Sequence, residues 1–531
     1  MTGKAERSRF FLLTVALLLV LGVSLHFCLW KSGMFIDEIY TYGLSNSHYE
    51  PFIGHGHGEW LDEQLIARDD FFDYLAVTGE DRFDFGSVYA NQELDVHPPL
   101  HYWIINFCSS LAENSFSKWI GLIPDLLIYL GTLVLLFVLA RELFADDLAA
   151  ALCVLFYGLS RAGLSTMLMI RMYVLMTFFT VLLALLSVRE ARRPALKTEI
   201  GIGLTICLGL LTQYYFVFYA FFLCALTVLW RLTRKEWKIA LRFSLCAFAG
   251  VALMLLCFPA AIKHLTADKL VSGGNAMENL GNLSAWPGRL RYYFGQVRQG
   301  LWAAVLCGLL GLFCAALSAR GQKRTQAFRK EELGPLLLLL LVPVLPTVFV
   351  AAVIAPVVEG RYIYNIMPIC VLAAGWAVHA ALLAFGRDGT GKTAGRVLAG
   401  ACAVLTLVLS LTTVPEYIYD EHRSYNEAVA AHAEDPCVYL TGYYAPVTQD
   451  MLQLMQFQNV YVTEDTASPG LRRYLTEADS PECVVYIDID GFWGSGFEPE
   501  STLEKLMKES GYTQAEHLYQ YALSDAWLMR R

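Results

Sequence analysis

Two adjacent carboxylates, Asp37 and Glu38, stand in the stretch MFIDEIYTYG, immediately after the first long apolar run of the chain. Phe35, Ile36, Ile39, Tyr40 and Tyr42 surround them, where a merely solvated loop would carry more polar residues. Partial burial among such neighbours penalises the charged form of a carboxylate and makes it a better proton acceptor. One carboxylate so placed can take the proton from an incoming hydroxyl when the group leaving the electrophile is a phosphate, which needs cations more than a general acid. Hydrolysis of a glycoside differs, because two carboxylates must flank the bond. The plainer reading of either residue alone is an acid solvated at a helix end.

Cations suited to a phosphate stand elsewhere in the sequence. Arg361 in EGRYIYNIMP, followed by Tyr362, and Arg171 in IRMYVLM, two before Tyr173, sit at the ends of apolar runs. Arginine there is costly unless it pairs with an anion or reaches the interface, and its planar fork matches a phosphate bidentately. The plainer role of each is an interface anchor beside a tyrosine. Lys263, His264, Arg289, Arg291 and Arg298, interleaved with Trp286, Tyr292 and Tyr293, are further candidates or one interfacial helix. His97 precedes Pro98 and Pro99, which fix its backbone. It suits a metal shared with Asp37, a hydrogen bond to phosphate, or a cap on the next helix. His55 and His57 in GHGHG have a spacing that binds divalent ions, although such exposed pairs more often carry none. A divalent metal is thus permitted and not required, its ligands are not fixed, and no cofactor is identified.

The elements that must hold these residues are membrane helices. The chain has 531 residues, 56% of them hydrophobic and 17% charged, with a net charge of -9. That balance fits a polytopic α-helical membrane protein and no soluble class. No basic patch with interleaved aromatics points to nucleic acid, and the 13 cysteines show no metal-type spacing. Residues 10 to 30 follow a basic lead and lack a small-residue cleavage site, so they read as a retained helix starting in the cytoplasm. Residues 31–97 form a loop rich in carboxylates with only Lys31, Arg68 and Arg82 as cations, which places it outside. The stretch 98–112, opened by the double proline, reads as a helix along the outer interface with Tyr102 and Trp103 at headgroup level. Spans at 119 to 140, 147 to 160, 170 to 188, 200 to 212, 214 to 231, 241 to 262, 300 to 318, 335 to 356, 362 to 384 and 397 to 414 put every basic cluster in the cytoplasm. With the first helix this gives about eleven spans and an external C-terminus. The acidic loop, the turn near Arg161 to Arg171, the loop from Lys263 to Arg298 and the corner at Glu359 to Tyr362 then share the outer face.

Beyond the transmembrane module 1–415, residues 416–531 alternate short β-runs (CVYLTG, NVYVTE, CVVYIDID) with helical patterns, which predicts a small extracytoplasmic α/β domain. Cys437 and Cys483 each open a β-run. A disulfide and two separate buried thiols are both compatible with that.

The acid pair after the first helix, the HPPL stretch, the RMY triplet and the GRY corner followed by a proline resemble the bacterial membrane glycosyltransferases of the GT-C fold, relatives of protein O-mannosyltransferases and of the lipid A aminoarabinose transferase. The resemblance covers roughly residues 10 to 415. It implies transfer of a sugar from a polyprenyl-phosphate donor to a hydroxyl of a lipid, glycan or protein acceptor at the outer face, with inversion. By that resemblance Asp37 is the catalytic carboxylate, Glu38 its neighbour, and Arg361 a ligand of the donor phosphate. His97, Arg171, Tyr173 and Tyr362, read from their own types and places, are further candidate substrate contacts. Two departures stand out. Met169 and Ile170 occupy the place where the family often carries an acid before its RMY arginine, and Leu122-Ile123-Pro124 lacks the family's arginine. The C-terminal domain lies outside the shared core and is a candidate acceptor site. The rival readings are a transporter or flippase of a lipid-linked substrate, which needs ionisable residues at mid-bilayer depth, and a non-catalytic assembly subunit.

Overall fold

In hydrocarbon every backbone N–H and C=O must find its partner within its own segment, so the long apolar runs fold as helices. A computed structural model describes residues 2–53, 63–266, 278–319, 333–386, 389–491 and 494–531. Among the described residues eight helices are long and apolar enough to cross a membrane, or up to ten when each of two bent pairs is taken as one span. This is a multi-pass membrane protein. Of the expected spans, the one at 200 to 212 is the helix Leu196–Thr212, whose 17 residues rise about 25 Å. It stays outside that count, which therefore falls short of about eleven.

The chain divides into two compact units, and the division does not run at a single point. One unit holds residues 1–29, 96–101 and 122–416; the other holds 30–95, 102–121 and 417–531.

The first unit is the helical bundle. Its helices approach closely where glycines allow it. A Cβ at Gly250 would lie 2.1 Å from the Gly203 carbonyl oxygen, and one at Gly203 would lie 2.4 Å from that of Cys246, so Leu196–Thr212 and Trp237–Cys257 touch backbone to backbone. Several charges at the helix ends are paired. Glu199, fully buried, receives the Arg242 guanidinium through two nitrogens, and buried Arg231 reaches Glu190 and, at 2.7 Å, Glu236. The turn expected near Arg161 is in fact a helix, Arg161–Leu168, bent 59° from Asp147–Gly158 and capped by the Ser160 hydroxyl, which accepts from the Gly163 N–H at 3.0 Å. In the stretch after Lys263, Trp286–Gly300 is helical and turns 73° into the next span.

The second unit is built on a six-stranded mixed sheet. Its strands are β1 (Gln64–Ala67), β2 (Cys437–Leu440), β3 (Asn459–Thr463), β4 (Glu482–Asp488), β5 (Gln514–Tyr521) and β6 (Ser524–Arg530), in the order β1-β3-β2-β4-β6-β5. The three β-runs read from the sequence are β2, β3 and β4, and they are parallel. The hairpin β5-β6 adds antiparallel strands that the sequence reading passed over. More consequentially, β1 comes from the acidic loop and pairs antiparallel with β3, Ile66 opposite Val460. Arg68 fastens the junction by donating to the carbonyls of Gln456 and Phe457. One face of the sheet packs Val438, Leu440, Val485 and Ile487 against Leu471, Leu475, Leu503 and Leu506 of the helices Pro469–Ala478 and Pro499–Ser510.

Cys437 and Cys483 are both buried free thiols. Cys437 lies opposite Val484, so Cys483 is displaced by one residue and projects to the other face of the sheet. The register excludes a bond between them.

Candidate functional site

The acid pair opens the helix Ile36–Asn46, where the unsatisfied N–H groups of the first turn favour negative charge. The two carboxylates are treated differently. Glu38 is wholly buried, 3.0 Å from the Lys31 ammonium, and accepts the Phe35 N–H at 2.7 Å. This is the returning half of a capping box, in which the third helical residue satisfies the N-cap amide. Lys31 also donates to the Tyr417 carbonyl at 2.6 Å and lies over the Tyr419 ring. Asp37, one residue earlier, is only partly buried. Its turn is therefore held by its neighbour.

The rest of the acidic loop packs around that helix. Tyr42 accepts the Gly121 N–H at 3.0 Å and donates to Ser117, Asn106 donates to Ser45, and Asn46 to Leu75. Gly43 is required, since a Cβ there would strike the Tyr74 ring. Phe35 stacks on Tyr419, and Phe52 on Tyr444 with Tyr40 against both. Gly33 passes so close to the His422 imidazole that a Cβ would lie 2.4 Å from it. His422 accepts a hydrogen bond from the Gln453 amide, and burial with the nearby Lys31 charge pushes it down to about 4. In the same unit burial pushes Asp450, which accepts the Tyr439 hydroxyl, up to about 7. Tyr102 is fully buried, which corrects the expectation of a headgroup-level ring; Trp103 on the helix Leu100–Leu111 is half-buried and donates to Phe85. His55 and His57 lie outside the described residues.

Arg171, Tyr173, Arg361, Tyr362 and His97 belong to the bundle unit. Arg361 lies in the 3-10 segment Gly360–Ile366, 7% exposed, with its Nε 2.8 Å from Glu359 and its guanidinium over the Tyr362 ring. Tyr362 stacks on Tyr215 at 4.6 Å. That segment packs on the helix Tyr173–Arg192, where Tyr173 meets Tyr364 edge to face and Thr180 accepts from Asn365. Arg171 is buried in the break between Arg161–Leu168 and that helix. His97 is half-buried ahead of the double proline. Tyr364 donates to Glu416 at 2.7 Å and Arg161 pairs with the same carboxylate, around a small pocket also lined by Ser165 and Gln296. Arg289 is committed elsewhere, since it donates to the carbonyls of Ala352 and Ala355 at the end of the helix Val344–Ile354.

One buried pair escaped the sequence reading. His101 and Asp125 are both fully buried and meet at 3.0 Å, Asp125 within the apolar helix Lys118–Phe144. Asp125 is thus an ionisable group inside one of the apolar spans. An aspartate inside an apolar helix was the signal, because such a group is functional or paired by default.

A bundle of membrane helices and a mixed α/β unit in one chain are the parts of the GT-C class of fold. Over 97% of both chains the structure is similar to ArnT from Cupriavidus metallidurans bound to undecaprenyl phosphate, at 11% identity and a TM-score of 0.51. That likeness extends past residue 415, so the C-terminal part belongs to the common fold. Residues 96–262 match the family model of dolichyl-phosphate-mannose-protein mannosyltransferase. Fainter likenesses, at TM-scores of 0.43 and 0.35, are to the arabinofuranosyltransferase AftD from Mycobacteria (12% identity, 99% of this chain and 40% of that one) and to the S. cerevisiae protein O-mannosyltransferase Pmt1-Pmt2 complex bound to the sugar donor (14% identity, 50% and 35%). No curated protein matches the sequence.

Proposed function

We propose that this chain is a polyprenyl-phosphate-sugar-dependent glycosyltransferase acting on an acceptor hydroxyl at the outer membrane face, with its N-terminus in the cytoplasm and the α/β unit outside. The observation that carries the reading is the unequal treatment of the acid pair. Glu38 is consumed by Lys31 and the helix cap, which fixes the first turn and leaves Asp37 at its partly exposed start. Asp37 takes the proton of the acceptor hydroxyl as its oxygen attacks the anomeric carbon. The bond from that carbon to the lipid phosphate breaks on the opposite side, with inversion. Negative charge gathers on the departing phosphate, which the guanidinium groups of Arg361 and Arg171 hold, with Tyr173, Tyr362 and His97 as further contacts. The undecaprenyl phosphate held by ArnT and the family match at 96–262 support a polyprenyl-phosphate donor.

The test is transfer from labelled polyprenyl-phosphate sugars in membranes carrying Asp37→Asn. Loss of a general base lowers the rate roughly 10²- to 10⁴-fold. Transfer at the wild-type rate would remove Asp37 from the role, and no transfer by wild-type protein with any such donor would favour the transporter or assembly readings.

A further inference from the structure

In the α/β unit, far along the sequence from the acid pair, three side chains converge. His432 Nδ1 lies 3.1 Å from Asp435 Oδ2 and 3.2 Å from Glu482 Oε2, and the three ligand atoms all fall within 4.8 Å of one another. All three residues are partly buried. A ring nitrogen carries at most one hydrogen, directed along one line in the ring plane, so it serves one of two carboxylates well and the other poorly. A metal serves both. Bonds of about 2.0–2.1 Å in a tetrahedron separate neighbouring ligand atoms by about 3.3 Å, close to the two contacts seen.

The outer oxygen of each carboxylate is already held. Ser480 Oγ donates to Asp435 Oδ1 at 2.9 Å, and Arg530 Nε donates to Glu482 Oε1 at 2.7 Å. Arg530 lies opposite Glu482 in the β4-β6 ladder and shares its charge with Glu516. Each carboxylate is thus oriented with one oxygen toward the imidazole, as outer partners orient metal ligands. We infer that His432, Asp435 and Glu482 form a site for a zinc-class divalent ion, with solvent completing the coordination. One nitrogen and two carboxylates suit such an ion, whereas calcium takes oxygen ligands in greater number. Bound there, the ion ties the turn before β2 to the start of β4.

The test uses full-length protein in detergent, stripped with chelator and titrated with Zn2+ and separately with Ca2+ by calorimetry, with the thermal midpoint followed in parallel. Wild-type protein binds Zn2+ and its midpoint rises. His432→Gln and Asp435→Asn each weaken binding by about tenfold or more, and Ser480→Ala, which removes only an outer partner, weakens it by about tenfold. If His432→Gln fails to fold, Asp435→Asn and Ser480→Ala decide the matter. Absence of Zn2+ binding by wild type, equal affinity for Ca2+, or undiminished Zn2+ affinity in the folded variants would overturn the site.

Discussion

Glu38 and Asp37 differ by one position and by almost everything in their surroundings. Removing one partner of the buried Lys31–Glu38 pair strands a charge and costs about 3–5 kcal/mol, so Glu38→Gln and Lys31→Met each lower the thermal midpoint. The double variant Lys31→Met with Glu38→Met recovers much of that loss. Asp37→Asn leaves the midpoint nearly unchanged while transfer falls. Arg361→Lys keeps a charge without the fork, and its Michaelis constant for the donor rises about tenfold or more, from the ~1.5–3 kcal/mol of a charged hydrogen bond. His422 and Asp450 carry opposite pH signatures. His422, held down to about 4, binds fewer protons folded than unfolded between pH 4 and 6.5, so its contribution falls as pH drops through that window. Asp450, held up to about 7, binds more protons folded, so its contribution falls as pH rises from 4 to 7. Each effect is on the order of 3–4 kcal/mol, and between pH 4 and 6.5 they oppose one another. Relative to wild type, Asp450→Asn gains stability with rising pH and His422→Phe loses it. Thermal midpoints of the three proteins at pH 4.5 and 6.5 check both signs.

Helices and strands set the tolerances around those residues. Gly203 and Gly250 bring two helices into backbone contact, which no larger residue permits without displacing one of them. Gly250→Leu overpacks this crossing by about 1–3 kcal/mol, and the midpoint falls accordingly. The wide spacing of spans was legible because twenty apolar residues in succession have one use. Helix-to-helix bends were not, since Arg161–Leu168 is polar enough at its start to read as a turn. Its Ser160 cap is the local signal that was available.

The grouping of segments into units is the largest departure from a linear reading. Strand β1 lies nearly 400 residues before its partner β3 and covers an edge that would otherwise present unpaired N–H and C=O groups. Residues 417–531 produced alone therefore expose that edge and the face that receives Ile66, which is 4% exposed in the whole chain. The fragment associates with itself on size-exclusion chromatography. A fragment to which residues 63–76 are fused ahead of it runs closer to a monomer.

Composition and period determined the membrane class, the apolar spans and the existence of the three strands β2, β3 and β4, because each depends on residues near one another in sequence. Hydrophobic repeats and turn residues act over a few positions, so they can be read without a fold. Only the tertiary structure decided which of two neighbouring acids is buried, that Cys437 and Cys483 face opposite ways, that Arg289 caps a distant helix, and that His101 meets Asp125. Those outcomes turn on register and on side chains brought together by packing, and a shift of one residue in a strand, or about 100° around a helix, reverses them.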